Sequence, residues 1–325
     1  MSGDPFLRVT DLKVHFPTDD GVVKAVDGLT FSLEKGKTLG IVGESGSGKS
    51  VTSLAIMGLH RGSHARISGE VLLDGQDLLK ISNEELRGLR GRKLAMIFQD
   101  PLSAMHPYYT IGQQLTEAIQ VHERISKKAA RTTVIEMLAR VGIPNPGKRV
   151  DQYPHEFSGG MRQRAMIAMA LINNPELLIA DEPTTALDVT VQAQILELME
   201  DLKDRINTSI LLITHDLGII SHFAQRVAIM YAGKIVEQAP VEAFFSAPLH
   251  PYSLGLIEAI PSLTEKWKRD ARLRTIPGNV PDMSVRITGC AFQDRCGYVM
   301  PVCRKREPEL VEKRPAHWVR CWKWL

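Results

Sequence analysis

An α/β fold organised around a phosphate loop is predicted by three short segments of this 325-residue chain. Gly43-Glu44-Ser45-Gly46-Ser47-Gly48-Lys49-Ser50 fits the pattern G-x-x-x-x-G-K-[ST]. Ser158-Gly159-Gly160-Met161-Arg162-Gln163-Arg164 reads as a glycine-rich helix start, and Leu177-Leu178-Ile179-Ala180-Asp181-Glu182 as an apolar strand closing in two carboxylates. In this order the segments predict a domain that binds and hydrolyses ATP.

The loop has the context its chemistry needs, with a strand-like run from Thr38 to Val42 before it and a helical segment from Val51 to Leu59 after it. Gly43, Gly46 and Gly48 permit tight turns and leave no side chain between the phosphates and the backbone N–H groups from Gly43 through Val51. The helix start adds partial positive charge at the same point. Lys49 reaches the β- and γ-phosphates, and the Ser50 hydroxyl ligates Mg²⁺. A plain strand-to-helix turn needs one or two glycines but has no use for the Lys-Ser pair.

Successive strand side chains point to opposite faces, so Asp181 and Glu182 divide their tasks. Asp181 suits the Mg²⁺ shell, and Glu182 suits polarising the water that attacks the γ-phosphorus. Ile210-Leu211-Leu212-Ile213-Thr214-His215-Asp216 is a second buried strand that delivers His215 at its C-terminal end, the edge where open α/β sheets bind ligands. A strand-end histidine alone is more often structural. Following the other motifs in order, His215 reads as the group that contacts the γ-phosphate and orients the water.

On these motifs the chain resembles the nucleotide-binding subunits of ABC transporters, and Ser158 to Arg164 separates that family from other phosphate-loop ATPases. The resemblance covers residues 5 to about 260. It implies a RecA-like core with an antiparallel β subdomain and a helical subdomain, and a division into a nucleotide-binding domain, 1–260, with helices over about 100–172, and an extension, 261–325. It further implies that Phe16 stacks on adenine, that Gln99 in Ile97-Phe98-Gln99-Asp100-Pro101 contacts Mg²⁺ and signals to membrane subunits, that Ala186-Leu187-Asp188 is the D-loop, and that His215 is the switch histidine. Ser158, Gly159 and Gly160 open a helix and so present a second anion site. In the family that site closes on the ATP held by an opposite cassette in a head-to-tail dimer. No internal repeat is visible, so the second cassette is expected from another chain, as a heterodimer.

The pass along the chain gives strand-like runs with turns up to about residue 98: Leu7 to Val9, Val22 to Val26, Leu29 to Leu33, Gly69 to Leu73 and Leu94 to Phe98, with a hairpin at Asp74-Gly75. Helical spacing follows over Ile111 to His122, Lys127 to Val141 and Met161 to Ile172. After Leu177 the α/β pattern returns, with a helix from Val191 to Ile206 between two strands. Hydrophobic content of 44% is ample for buried cores. Apolar stretches, as in Ala165 to Ile172 and Ile210 to Ile220, stay too short to cross a bilayer, and the N-terminus has no charged-then-apolar leader. The chain is therefore expected in the cytoplasm, and the resemblance implies a peripheral location on the cytoplasmic face of the inner membrane, docked on two separate permease subunits. Asp100 to Gln120, with Met105, Tyr108, Tyr109 and Ile111, is the expected permease groove. The net charge of +3 fits a solvated mixed-charge surface rather than nucleic-acid binding.

The tail carries His250-Pro251-Tyr252-Ser253, Thr275-Ile276-Pro277-Gly278 and the chain's four cysteines, Cys290, Cys296, Cys303 and Cys321, spaced C-x5-C-x6-C-x17-C. In a reducing compartment such a set favours a metal site over disulfides. Four thiolates suit structural Zn²⁺ or an iron–sulfur cluster, and the absence of C-x2-C pairs weighs against zinc. The tail is similar to the C-terminal extension of oligopeptide and dipeptide permease ATPases. That resemblance implies a [4Fe-4S] cluster on the four cysteines, offset by Arg295, Arg304, Lys305, Arg306 and Arg320, and peptide cargo delivered by an extracytoplasmic binding protein. Nickel or another solute is the alternative cargo. A non-transport ABC ATPase is the rival function, disfavoured because Ser50 to Ser158 holds a compact helical segment rather than a long coiled coil.

Overall fold

The computed structural model describes residues 4–19, 21–184, 188–260, 275–285 and 287–325. The chain forms two compact units, one of residues 1–33, 38–79 and 214–325, the other of residues 34–37 and 80–213.

In the first unit Leu7–Thr18 pairs antiparallel with Gly21–Leu33 on one side and Arg66–Leu73 on the other, and Gln76–Asp77 completes the sheet. Leu7 and Val9 alternate with exposed Arg8 and Thr10, then the register shifts before Leu12. Asp11, at φ 47°, is the extra residue that returns Leu12 and Val14 to the buried face. The expected hairpin is present, with Asp74 at φ 51° and Gly75 at φ 80° between paired Leu73 and Gln76. The two strands expected over residues 22–33 are one, because Gly28 at φ 87° bends the strand without ending it.

The same unit holds Thr38–Val42, buried at every residue, as expected of a parallel strand covered on both faces. It lies parallel to Arg226–Tyr231, which pairs antiparallel with Lys234–Pro240. The tail adds His317–Val319 to that edge through Glu237↔Val319, and Val311–Arg314 beyond it. The Glu237 carboxylate, fully buried, accepts from the backbone N–H groups of Leu249 (2.8 Å) and His250 (2.7 Å) and lies 2.7 Å from His317 Nε2. The tail thus shares the buried face of a larger sheet, which supplies the core it is too short to build alone.

In the second unit Leu177–Asp181 runs parallel between Leu94–Ile97 and Ser209–Thr214. Ile111–Gln120, Lys127–Arg140 and Gly159–Leu171 bury Leu115, Ile119, Val134, Leu138, Ile167 and Leu171. Thr110 and Ser126 cap the first two from their side chains. A helix over Asn83–Leu89 replaces the purely strand-and-turn pattern expected there. Its signal is local: Ser82 and Glu85 form a reciprocal capping box.

Candidate active site

The predicted residues fall into two groups, one in each unit. In the first unit the strand Thr38–Val42 hands over to the loop, and the helix Lys49–Ile56 starts at Gly48, which holds φ 100° and offers no side-chain cap. Its leading N–H groups are left to a ligand. The glycines serve different ends. A Cβ on Gly43 would stand 2.2 Å from the Met230 carbonyl oxygen, and one on Gly48 2.2 Å from that of Ala25, whereas Gly46, at φ 78°, has nothing within 4 Å. Gly43 therefore answers to packing, Gly48 to packing and backbone conformation together, and Gly46 to conformation alone.

Lys49 is only 5% exposed, and its ammonium donates to the carbonyl oxygens of Gly43 (2.7 Å) and Glu44 (3.0 Å). The loop is closed by Ser47 N–H on the Glu44 carbonyl (3.2 Å), and Gly233 N–H on the Ser47 carbonyl (3.0 Å) ties it to the neighbouring turn. The Ser47 hydroxyl is buried without a hydrogen-bond partner. An uncapped helix start, a buried ammonium and an orphaned hydroxyl in one glycine-lined loop fit the phosphates of a nucleotide. Ser50 and Val51 stand in the first turn, half-buried. Phe16 is half-buried, with its ring edge-on to His60 at 5.4 Å. His215 is exposed just past Thr214, and Asp216 beside it caps Leu217–Phe223 by accepting from Gly218 N–H at 2.7 Å.

In the second unit Asp181 is the last, buried residue of its strand. Glu182 departs from the expectation that strand alternation separates the two carboxylates. It sits at φ 47°, outside the strand, and its N–H donates to the Ile213 carbonyl at 2.8 Å. For a non-glycine residue this left-handed conformation is costly and is held by its surroundings. Gln99 Nε2 donates to Glu182 Oε2 at 3.2 Å, so two predicted residues meet. Gln163, buried within Gly159–Leu171, donates to the Pro183 carbonyl, linking the glycine-rich helix to the turn after Glu182. The motif carries no separate task for Gln163, and between Arg162 and Arg164 nothing in the sequence singles it out.

Ser158 caps Gly159–Leu171 by accepting from Met161 N–H, and a methyl group added to Gly159 would meet nothing within 4 Å, so this helix start faces open space. Asp188 caps Val189–Ile206 by accepting from Val191 N–H at 2.9 Å. Ala186 and Leu187 of the expected D-loop lie outside the described residues. In the expected permease groove, Met105 and Ile111 are core residues, whereas Leu102, Tyr108 and Tyr109 are exposed, Tyr108 to 82%.

All four cysteines are free, with Cys303 buried and the rest half-buried. They are near enough to influence one another: burial first, then the Cys303, Cys321 and Cys296 thiols, push Cys290 up to about 11 despite a backbone N–H that opposes the rise. Among the described residues, however, no group of three or more His, Cys, Asp or Glu side chains is placed to hold a metal ion. Three of the five cations expected to offset a cluster are also engaged elsewhere. Arg295 pairs with Glu44, Arg320 with Glu307, and Arg306 lies over the Trp322 ring. A metal would have to displace the protons of these thiols.

Compared with protein families, residues 26–185 match the family described as ABC transporter, and residues 236–303 the one described as oligopeptide/dipeptide transporter, C-terminal region. The chain is 50% identical over 321 residues to a probable peptide ABC transporter ATP-binding protein, y4tR, of Sinorhizobium fredii, covering 98% of this chain and 95% of that protein. It is 51% identical over 319 residues to the oligopeptide transport ATP-binding protein OppD of Bacillus subtilis, covering 97% and 88%. The solved dimeric structure of the ATP-binding cassette MJ0796 bound to ADP and Pi is similar in fold, with a TM-score of 0.66 and 24% identity over 72% of this chain and 98% of that one.

Proposed function

The chain belongs to the ATP-binding proteins of the ABC transporter family, and from that premise we propose that it is the ATP-hydrolysing subunit of a peptide importer. The observation that carries this reading is the half-identical match, along nearly its whole length, to proteins named for peptide transport. Within it, Lys49 and the N–H groups between Gly43 and Val51, other than those of Glu44 and Ser47 that are bonded within the protein, hold the phosphates, and Phe16 meets the adenine. Mg²⁺ would supply positive charge to offset that of the phosphates. Ser50, Asp181 and Gln99 are the residues suited to hold it. Glu182 takes a proton from the attacking water, with the Gln99 amide fixing one carboxylate oxygen, and His215 orients that water against the γ-phosphate.

The open helix start at Ser158, Gly159 and Gly160 is one anion site more than the chain's own nucleotide needs. It serves the ATP of a second cassette, so that nucleotide binding joins two cassettes and hydrolysis releases them. Asp188 acts at that same junction. Among the described residues no helix is long and apolar enough to cross a membrane, so the path for peptide belongs to two permease subunits at the inner membrane, fed by an extracytoplasmic binding protein. Exposed Leu102, Tyr108 and Tyr109 are the surface proposed to dock there. The division at 1–260 and 261–325, and a [4Fe-4S] cluster or Zn²⁺ on the four cysteines, complete the reading. The four cysteines together suit a metal, while their side-chain placement does not form its cage.

Replacement Glu182→Gln tests the assignment. ATP should still bind, hydrolysis should fall by about 10² or more as for removal of a general base, and closed cassette dimers should accumulate while peptide uptake stops. Parent-like turnover of the variant in the assembled transporter would remove Glu182 from that role.

A further inference from the structure

Glu44 is an anomaly in its own loop. A site built to receive a polyphosphate carries a carboxylate at its second position, and a like charge beside the ligand opposes binding. Beyond the Ser47 N–H on its carbonyl, three attachments hold this residue. Its N–H donates to Tyr252 Oη at 3.0 Å, its carbonyl accepts from Lys49 Nζ at 3.0 Å, and its carboxylate accepts from Arg295 at 2.6 and 3.0 Å, one guanidinium nitrogen to each oxygen. Arg295 comes from the cysteine-bearing tail, 251 positions away, and its side chain is only 5% exposed. Its Nε donates to the Pro277 carbonyl at 3.0 Å, which fixes the fork. A bidentate pair of this kind holds direction as well as charge.

We infer that Arg295 is a positioning residue of the phosphate loop: it neutralises Glu44 and turns its carboxylate away, so that the loop's amides and Lys49 face the incoming phosphates unopposed. The role rests on the reading of this loop as the ATP site. It places the tail in direct control of nucleotide affinity, independently of what the cysteines hold. Tyr252, from the His250-Pro251-Tyr252-Ser253 segment, is the second attachment, gripping the backbone of the same residue.

The test is equilibrium binding of Mg-ATP to the full chain, with turnover measured in the assembled transporter. Arg295→Ala should weaken ATP affinity about tenfold, the scale of coupling seen for contacting charged pairs, and leave turnover at saturating ATP within about twofold, since no reacting atom is touched. Glu44→Gln added to Arg295→Ala should restore most of the lost affinity, because the unopposed carboxylate is what repels. A purely structural role for Arg295 predicts the opposite, a double variant no better than the single. Should Arg295→Ala fail to fold, Arg295→Gln, which keeps donors but not charge, carries the same expectation and the same rescue. Unchanged affinity in a folded, uncharged variant, or absence of rescue, overturns the inference. A parent chain that binds no ATP overturns the nucleotide reading and this one together, whereas a binding parent with an equally tight variant overturns this one alone.

Discussion

Acid should unlock the junction behind the phosphate loop, and the size of the effect follows from one buried imidazole. His250 caps Pro251–Glu258 by accepting from Tyr252 N–H on Nδ1 at 3.1 Å, so it must be unprotonated there. Burial lowers its pKa from 6.5 to about 4; Glu237 pulls the other way and Arg320 reinforces the shift. The unfolded chain takes up a proton near pH 6.5 and the folded one only near 4, so between these values unfolding binds a proton and stability rises with pH. The contribution is complete above about 6.5 and lost by about 4. At roughly 1.4 kcal/mol per pKa unit, the full window is worth about 3 kcal/mol, of which about 2 kcal/mol disappears between about pH 7.5 and 5.0. Denaturant unfolding of the parent and of His250→Asn at both pH values measures it. Asparagine keeps a capping oxygen but does not titrate. Loss of the ring beside Phe292, 5.7 Å away, lowers stability equally at both pH values and cancels in the comparison. The parent should lose about 2 kcal/mol more than the variant on acidification, and equal losses would refute a neutral buried His250.

Two further outcomes are expected. Gly48→Ala, forced against the Ala25 carbonyl at φ 100°, should cost at least about 2 kcal/mol and abolish nucleotide binding, whereas Gly46→Ala, in open space at φ 78°, should cost about 1 kcal/mol; unfolding midpoints in the reverse order would contradict the packing account. For the cysteines, protein purified without oxygen should be brown with broad visible absorption and lose colour on Cys296→Ser, while colourless protein carrying one equivalent of zinc and no iron would replace the cluster with a zinc site.

What is legible in the sequence is what local chemistry determines. The run Thr38 to Val42 has the ends expected of it, the Asp74-Gly75 hairpin forms, and Leu177–Asp181 is a fully buried strand, because burial on both faces and left-handed turn residues leave marks within a few positions. The tail strands Val311–Arg314 and His317–Val319 leave no such mark. They are short strands at the sheet edge, and the charges of the outer one discourage further pairing while hiding the pattern that identifies a strand. Glu182 leaves the strand in a left-handed conformation, where alternation along a strand is expected. Arg295 shows the deeper limit. Among 40 basic and 37 acidic side chains, nothing local selects its pairing with Glu44. The pair joins the loop to a residue 251 positions away, in a tail that also adds strands to the sheet edge beside Lys234–Pro240. Affinity for ATP in this chain is therefore set partly by residues that no phosphate-loop motif contains.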